Sequence, residues 1–247
     1  MRLIRANWNA PSQIHALTTT RLGGQSRAPY NGLNLGDHVA DNPVHVSANR
    51  QQLIQATGLK IEPQWLQQVH GVEVVEALSD GEVRQADACF TSTAGQACIV
   101  MTADCLPVLF TNKSGTKVAA AHAGWRGLVS GVLEQTLKQF KPDEQVLVWL
   151  GPAIGPLAFE VGAEVREAFV SQHSQAETAF KTSPTHPQDR FLADIYQLAR
   201  IRLAAAGVAD ADISGGDYCT FSDAENFFSY RRDGVTGRMA SLIWIES

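Results

Sequence analysis

Short apolar runs alternate along the chain with segments whose apolar residues recur at helical spacing. Apolar runs of about four to eight residues, bounded by glycine, proline or asparagine, are typical of buried strands. We therefore predict strands in the segments WLQQVHG, VEVVEAL, ACIVMTA, PVLFTN, KVAAAHAG and QVLVWLG. The sequence NKSG between two of these segments predicts a tight turn.

Helices are predicted from spacing and from terminal residues at 43–57, 128–140, 161–173 and 194–206. In the first of these, Asn42 suits the cap, Pro43 the first turn and Gly58 the end. In the last, Asp194 suits the cap and Gly207 the stop. The final 21 residues, FFSYRRDGVTGRMASLIWIES, predict a hairpin that turns at Asp233 and Gly234.

Strands and helices are interleaved from end to end, and no shift in composition marks a domain boundary. This order predicts an α/β or α+β fold with mixed β-sheets flanked by helices. We expect a single layered domain over residues 1–247, because no repeat or long linker divides the chain.

Composition narrows the range of functions. The 247 residues are 45% hydrophobic and carry a formal net charge of −5, which argues against a broad nucleic-acid surface. The longest apolar stretch is too short to span a membrane and contains Asp104. The N-terminus lacks the pattern of a secretory signal. The four cysteines show no paired spacing, so we expect reduced thiols in a cytoplasmic enzyme or binding protein.

Three residues with metal-ligating side chains stand at strand ends. Cys105 begins one apolar run, His122 ends the next, and His70 precedes a glycine. If the two runs pair, a cysteine and two histidines form a suitable set of zinc ligands, with a fourth position open to water or substrate. The alternative is that Cys105 fills a core and that the histidines are ordinary strand-end residues.

Arginines in glycine-flanked or turn-like segments suggest an anionic substrate group, because guanidinium matches the geometry of phosphate and carboxylate. The arginines of this kind are Arg21, Arg126, Arg231 and Arg232. Alternatively, each arginine pairs with a structural carboxylate. The carboxylates available for such pairing are Asp87, Asp104 and Glu160.

Several motifs resemble, in the same order, those of the bacterial laccase-domain proteins. They are TTRLGG, NLGDHVADNPVHVSANR, QVHG, ADCLPVLF, AAHAGWRGL, GPAIGP with FEVG, and FFSYRRDGVTGRMA. That family has been labelled polyphenol oxidase, purine nucleoside phosphorylase and peptidoglycan editing factor. This chain departs from the family pattern at Leu157, where many members carry a cysteine. That position is not one of the metal-ligand positions.

The resemblance implies a single α/β domain, similar in fold to a deamidating toxin with a Cys–His pair. It implies that His70, Cys105 and His122 are the metal ligands and the catalytic residues. It also implies phosphorolysis of adenosine, inosine, guanosine and methylthioadenosine, with purine nucleosides and phosphate as partners, and deamination of adenosine. We expect Arg21 and Arg231 on the phosphate or ribose side. Asp104, beside a ligand, is expected to orient an imidazole.

Three alternatives remain open. Copper also suits two histidines and a cysteine, but a true laccase needs more imidazoles than the seven histidines of this chain supply. Cys105 paired with His122 could instead be the nucleophile of a hydrolase or amidase that edits peptidoglycan precursors. A metal-dependent binding module would need a fourth ligand, for which Cys219 is the nearest candidate.

Overall fold

The computed structural model describes residues 1–247 and shows a mixed α/β fold. The helices are α1 Pro43–Thr57, α2 Trp125–Ser130, α3 Val132–Leu137, α4 Ala163–Val170, α5 Ile195–Ala205 and α6 Tyr230–Asp233, with 3₁₀ turns at Ser174–Ala179 and Asp210–Asp212. The strands are β1 Leu3–Arg5, β2 Ile14–Thr19, β3 Leu66–Gln67, β4 Val74–Glu76, β5 Arg84–Gln85, β6 Ala88–Thr91, β7 Cys98–Thr102, β8 Leu106–Asn112, β9 Val118–Ala123, β10 Val146–Leu150, β11 Glu160–Gly162, β12 Phe180–Thr182, β13 Arg190–Ala193, β14 Ile213–Gly215 and β15 Met239–Ile245. None of the helices has the length and apolar character needed to cross a lipid bilayer.

Two large sheets carry the fold. A six-stranded sheet has the order β14-β10-β8-β9-β6-β4, with β10–β14 and β4–β6 parallel and the other pairs antiparallel. A four-stranded antiparallel sheet has the order β1-β2-β15-β7. Two small sheets, β11-β13-β12 and β3-β5, complete the architecture. The expected mixed sheets flanked by helices are confirmed.

The elements stack in layers because alternate residues of a strand face opposite sides of its sheet. Val108 and Phe110 of β8 face a core of 31 buried residues shared with helices α2 to α5. Leu109, between them, faces a second core of 14 residues against the four-stranded sheet. Helix α1 covers the far side of that sheet through Leu53.

Helix α1 has the predicted boundaries and terminal residues. The Asn42 side chain accepts a hydrogen bond from the Val44 N–H at 2.9 Å, and Gly58 ends the helix with φ 72°. Asp194 likewise caps α5 by accepting from the N–H groups of Tyr196 and Gln197. Capping of this kind satisfies backbone donors that have no partner inside the helix.

Two predicted helices differ in extent from the helices observed. The predicted helix 128–140 is divided into two helices, α2 and α3, because Gly131 adopts φ 101°, and α3 ends at Leu137, before the predicted end. The first of these begins three residues earlier than predicted, at Trp125. The segment 161–173 begins in strand β11, and its helix, α4, runs from Ala163 to Val170.

The predicted C-terminal hairpin is wrong. The residues before Gly234 form the short helix α6, which Ser229 caps by accepting from the Arg232 N–H at 3.2 Å. Strand β15 then pairs with β2 and β7, which are far from it in sequence. The FFSY segment resembles a strand because it is apolar, but Phe227 and Phe228 are buried in a small core beside Met239 instead.

Candidate metal centre and adjoining cleft

Strand pairing brings Cys105 and His122 together. Strands β8 and β9 are antiparallel, with Leu106 opposite Ala123 and Pro107 opposite His122. Cys105 directly precedes β8, so it lies at the same end of the sheet as His122. The prediction that these two residues meet at the ends of neighbouring strands is confirmed.

His70 reaches the same place from a turn that is anchored to the other large sheet. The Gln68 side chain donates to the Met101 carbonyl at 2.8 Å and accepts from the Met101 N–H at 2.7 Å, which fastens this turn to β7. His70 itself adopts φ 61°, in the left-handed region that non-glycine residues seldom enter. Its imidazole is thereby directed toward the cysteine.

The three side chains are close enough to share one ion. Their ligand atoms all lie within 4.8 Å of one another, and Cys105 Sγ is 3.8 Å from His70 Nε2. Two ligands of a tetrahedral zinc ion lie about 3.3–3.8 Å apart, so the distance between Cys105 Sγ and His70 Nε2 matches that spacing, and the nitrogen and sulfur donors suit zinc in type. His122 is buried whereas His70 is exposed, so the cluster opens to solvent on one side.

Gly124 makes room for this arrangement. A Cβ atom at this position would lie 2.7 Å from His70 Cδ2 and 3.1 Å from Cys105 Sγ. Its φ of −62° is one that any residue adopts, so the requirement for glycine is one of space. The glycine after AHA therefore belongs to the site through its missing side chain.

Asp87 contacts two of the three segments that carry the ligands. Its buried carboxylate accepts from His122 Nδ1 at 2.8 Å and from the backbone N–H groups of Val69, His70 and Gly71 at 3.2, 2.9 and 2.6 Å. The sequence predicts Asp87 only as a partner for an arginine, whereas the structure pairs it with His122. A signal was present, because Asp87 directly precedes the strand-like run ACFT, but its register with His122 depends on pairing between distant strands.

Asp104 does not orient an imidazole, contrary to the prediction. Its carboxylate accepts from Thr220 Oγ1 at 2.6 Å, Ser229 Oγ at 3.0 Å and the Arg231 N–H at 2.7 Å. Asp104 adopts φ 86°, which turns its side chain toward these groups while Cys105 faces the histidines. It therefore fastens the segment before β15 to the metal centre.

The charges of the cluster favour a thiolate beside an imidazolium in the metal-free protein. Burial raises the pKa of Cys105, but the charge of His122 and hydrogen bonds with His122 and His70 lower it to about 6. Burial lowers the pKa of His122, but the Cys105 thiolate and the Asp87 carboxylate raise it to about 9. A thiolate is also the form of cysteine that binds a metal.

A cleft of about 260 Å³ adjoins the cluster and reaches His70 and Cys105. Its apolar wall consists mainly of Trp125, Ile154, Phe159 and Ile195. Two of the arginines noted in the sequence, Arg126 and Arg231, also line it.

The arginines that the sequence suggests for binding an anion differ in their position relative to the cleft. The Arg231 guanidinium donates to the Glu160 carbonyl at 2.8 Å and lies over the Phe159 ring. Arg126 is exposed and stacks over Trp125, with its guanidinium carbon 4.5 Å from the ring centroid. Arg21 donates to the Ala224 carbonyl at 3.2 Å, outside the residues that line the cleft.

A family match agrees with this geometry. The model of a family described as multi-copper polyphenol oxidoreductase laccase matches residues 15–246. The chain belongs to this family. The resemblance noted in the sequence motifs is thus confirmed.

Relatives in this family share most of their length with the chain. The purine nucleoside phosphorylase PA4543 of Pseudomonas aeruginosa is 55% identical over 241 residues, which are 97% of each chain. YfiH of Escherichia coli, also named purine nucleoside phosphorylase, is 54% identical over 246 residues, or 99% of each chain.

Solved structures show the same fold. The crystal structure of the Neisseria meningitidis protein NMB0706 superposes with a TM-score of 0.94 at 48% identity, over the full length of both chains. The structure of YlmD from Geobacillus stearothermophilus gives a TM-score of 0.88 at 31% identity, over 96% of this chain and 93% of that one.

Proposed function

We propose that this protein is a zinc-dependent purine nucleoside phosphorylase that acts on adenosine, inosine, guanosine and methylthioadenosine and also deaminates adenosine. The observation that carries the proposal is the His70–Cys105–His122 cluster beside an apolar cleft. Relatives named purine nucleoside phosphorylase, at 54% and 55% identity over nearly the full chain, support this reaction. The proposal treats residues 1–247 as one domain with a cytoplasmic location.

The cleft has the chemistry that a nucleoside and phosphate require. The faces of a purine are flat and apolar, and they suit a wall made of the Trp125 and Phe159 rings with aliphatic side chains beside them. Phosphate is an anion that pairs with guanidinium in bidentate fashion. Arg231 remains our candidate for binding phosphate or ribose, and the exposed guanidinium of Arg126 lies in the same cleft.

Arg21 is retained as the second substrate-binding candidate of the proposal. Its guanidinium carbon lies 4.7 Å from the centroid of the Phe228 ring, in the segment that Asp104 fastens to the metal centre. From there it reaches substrate only if this segment moves or if the ligand extends beyond the cleft.

His70, Cys105 and His122 would hold the zinc ion, which when bound supplies Lewis-acid polarisation. The chain itself contributes the remaining features. Asp87 fixes His122, apolar side chains exclude water from part of the cleft, and Arg126 and Arg231 supply positive charge beside the Trp125 and Phe159 rings. His70 is the exposed member of the cluster and lines the cleft, so an ion held by the three side chains would be accessible to substrate there.

A polyphenol oxidase is the alternative that the family description raises. A multicopper enzyme requires several clusters of imidazole ligands. The structure brings one group of three metal-ligating side chains together, which favours a single ion. The thiolate and imidazole donors are compatible with copper, so metal analysis has to decide between the two ions.

The first experiment measures bound metals by elemental mass spectrometry and phosphate-dependent release of hypoxanthine from inosine. We expect about one zinc per chain in the wild type, as a three-ligand catalytic site binds one ion. Cys105→Ser should lose both the metal and the activity. The matched control is Cys219→Ser, because Cys219 is half-buried and accepts from the Gly155 N–H, away from the cluster.

Other results would contradict the proposal in distinct ways. Several copper ions per chain would support the oxidase. Bound zinc without hypoxanthine release would support the metal centre but contradict the phosphorylase activity. A metal-free protein that needs Cys105 and His122 but not His70 would support a cysteine hydrolase, which the Asp87–His122–Cys105 alignment also fits.

A further inference from the structure

The carboxylate of Asp87 stands at the junction of the two segments that supply the histidine ligands. Asp87 directly precedes β6, and its carbonyl accepts from the His122 N–H at 2.7 Å, so it lies opposite His122 in the ladder between β6 and β9. The residue is 0% exposed. A buried charge of this kind is costly unless every oxygen is paired.

The pairing of Asp87 is complete. Oδ1 accepts from His122 Nδ1 and the His70 N–H, and Oδ2 accepts from the N–H groups of Val69 and Gly71. An ionised carboxylate has about four lone-pair positions, and all four are used here. One side chain thus binds both a ring and a backbone turn that are 52 residues apart in sequence, at positions 70 and 122.

We infer that Asp87 is the positioning residue of the metal centre, holding His122 in the tautomer that presents Nε2 to the ion and holding the turn of His70 in its left-handed conformation. A carboxylate only accepts hydrogen bonds, so Nδ1 of His122 must carry the proton and Nε2 is left free for the ion. The N–H groups of the turn would otherwise lack partners at a backbone conformation that is unfavourable for histidine.

The inference rests on the metal centre of the proposed function and not on the reaction catalysed there. Asp104, the neighbouring carboxylate, provides the contrast. Its oxygens accept from Thr220, Ser229 and Arg231, and no histidine ligand is among its partners. Asp87 therefore orients the metal ligands, whereas Asp104 attaches the C-terminal segment.

The test compares Asp87→Asn with Asp104→Asn in the full-length protein. Zinc affinity is measured by competition with a chromophoric chelator, and cobalt(II) is used to record the absorption bands of the bound ion. An amide at position 87 has the same shape but turns an NH₂ group toward donors. We expect zinc affinity to fall by about 10- to 100-fold and the cobalt bands to shift. Asp104→Asn should keep both close to those of the wild type.

Equal zinc affinity and unchanged cobalt bands in Asp87→Asn would overturn the inference. A second measurement does not depend on the variant folding. The ¹⁵N NMR shifts of the His122 ring in wild-type protein should show a protonated Nδ1, with and without zinc, and protonation at Nε2 alone would overturn the inference. Wild-type protein that binds no zinc would count against the metal centre, whereas the tautomer would still test the role of Asp87.

Discussion

Gly124 shows how a single missing side chain shapes the metal centre. Its backbone is in an ordinary conformation, yet the space of its absent Cβ is taken by His70 and Cys105. Gly127, one helical turn later, is similarly constrained, because a Cβ there would lie 2.8 Å from the Gly71 carbonyl oxygen. The glycines of AHAGWRG thus let three segments approach each other closely.

Gly124→Ala should therefore lose metal without losing the fold. The new methyl group must displace the His70 ring or the Cys105 sulfur, and we expect zinc content well below one per chain with a near-native circular dichroism spectrum. Gly58→Ala is the control. Nothing lies within 4 Å of that Cβ, but φ is 72°, so we expect lower stability, by about 1 kcal/mol, with zinc retained. Full zinc content in Gly124→Ala would show that the ligands tolerate the displacement.

The lowered pKa of Cys105 predicts how the reactivity of its thiol depends on pH. In metal-free protein its pKa is lowered to about 6 by His122 and His70 against the effect of burial. Only the thiolate reacts with iodoacetamide, so the rate of alkylation should rise with pH and reach half its maximum near pH 6. Peptide mapping identifies the modified cysteine, and zinc should suppress the reaction. A half-maximal rate near pH 9 would contradict the arrangement of the ion pair.

At the scale of elements, helix α6 and the segment before it depend on Asp104. The Asp104 carboxylate accepts hydrogen bonds from the hydroxyls of Thr220 and Ser229 and from the Arg231 N–H, and so holds the segment at both ends. It carries Tyr230 and Arg231 into the cleft. The position of these two residues therefore depends on a buried carboxylate more than 100 residues away in sequence.

Ser229→Ala tests this attachment. The hydroxyl of Ser229 both donates to Asp104 and accepts from the Arg232 N–H, so its loss should cost about 1–2 kcal/mol and loosen α6. Hydrogen exchange should become faster in residues 229–234. Ser222→Ala is the matched control, because its hydroxyl donates to Cys219 Sγ instead. Unchanged protection of α6 in Ser229→Ala would show that other contacts hold the helix.

Local pattern predicted the elements whose signals lie within a few residues. The cap of α1, the stop at Gly58 and the apolar strands β7 to β10 follow from spacing and end residues that act locally. The predicted 128–140 helix is wrong in extent because Gly131, which spacing alone places inside a helix, adopts φ 101° and divides it. The prediction of a C-terminal hairpin is wrong because an apolar segment beside a turn residue can equally be buried as irregular chain.

At the scale of the whole molecule, the metal centre lies where two sheets and two loops meet. Cys105 and His122 belong to the end of the six-stranded sheet, while His70 is tied to β7 of the four-stranded sheet through Gln68. Stacking of the sheets is what brings the third ligand to the other two. The apolar patterns of the central strands drive this stacking, since β8, β9 and β10 bury residues on both faces.

The sequence by itself determined the class of the fold, the strands and helices with local signals, and the cysteine and histidines that can bind a metal. Those properties depend on residue chemistry and on neighbours in the chain. Only the tertiary structure decided that Asp87 rather than Asp104 pairs with an imidazole, and that Arg231 lines the cleft whereas Arg21 lies outside it. Such contacts join residues distant in sequence, and the register and stacking of the sheets that create them depend on the whole core.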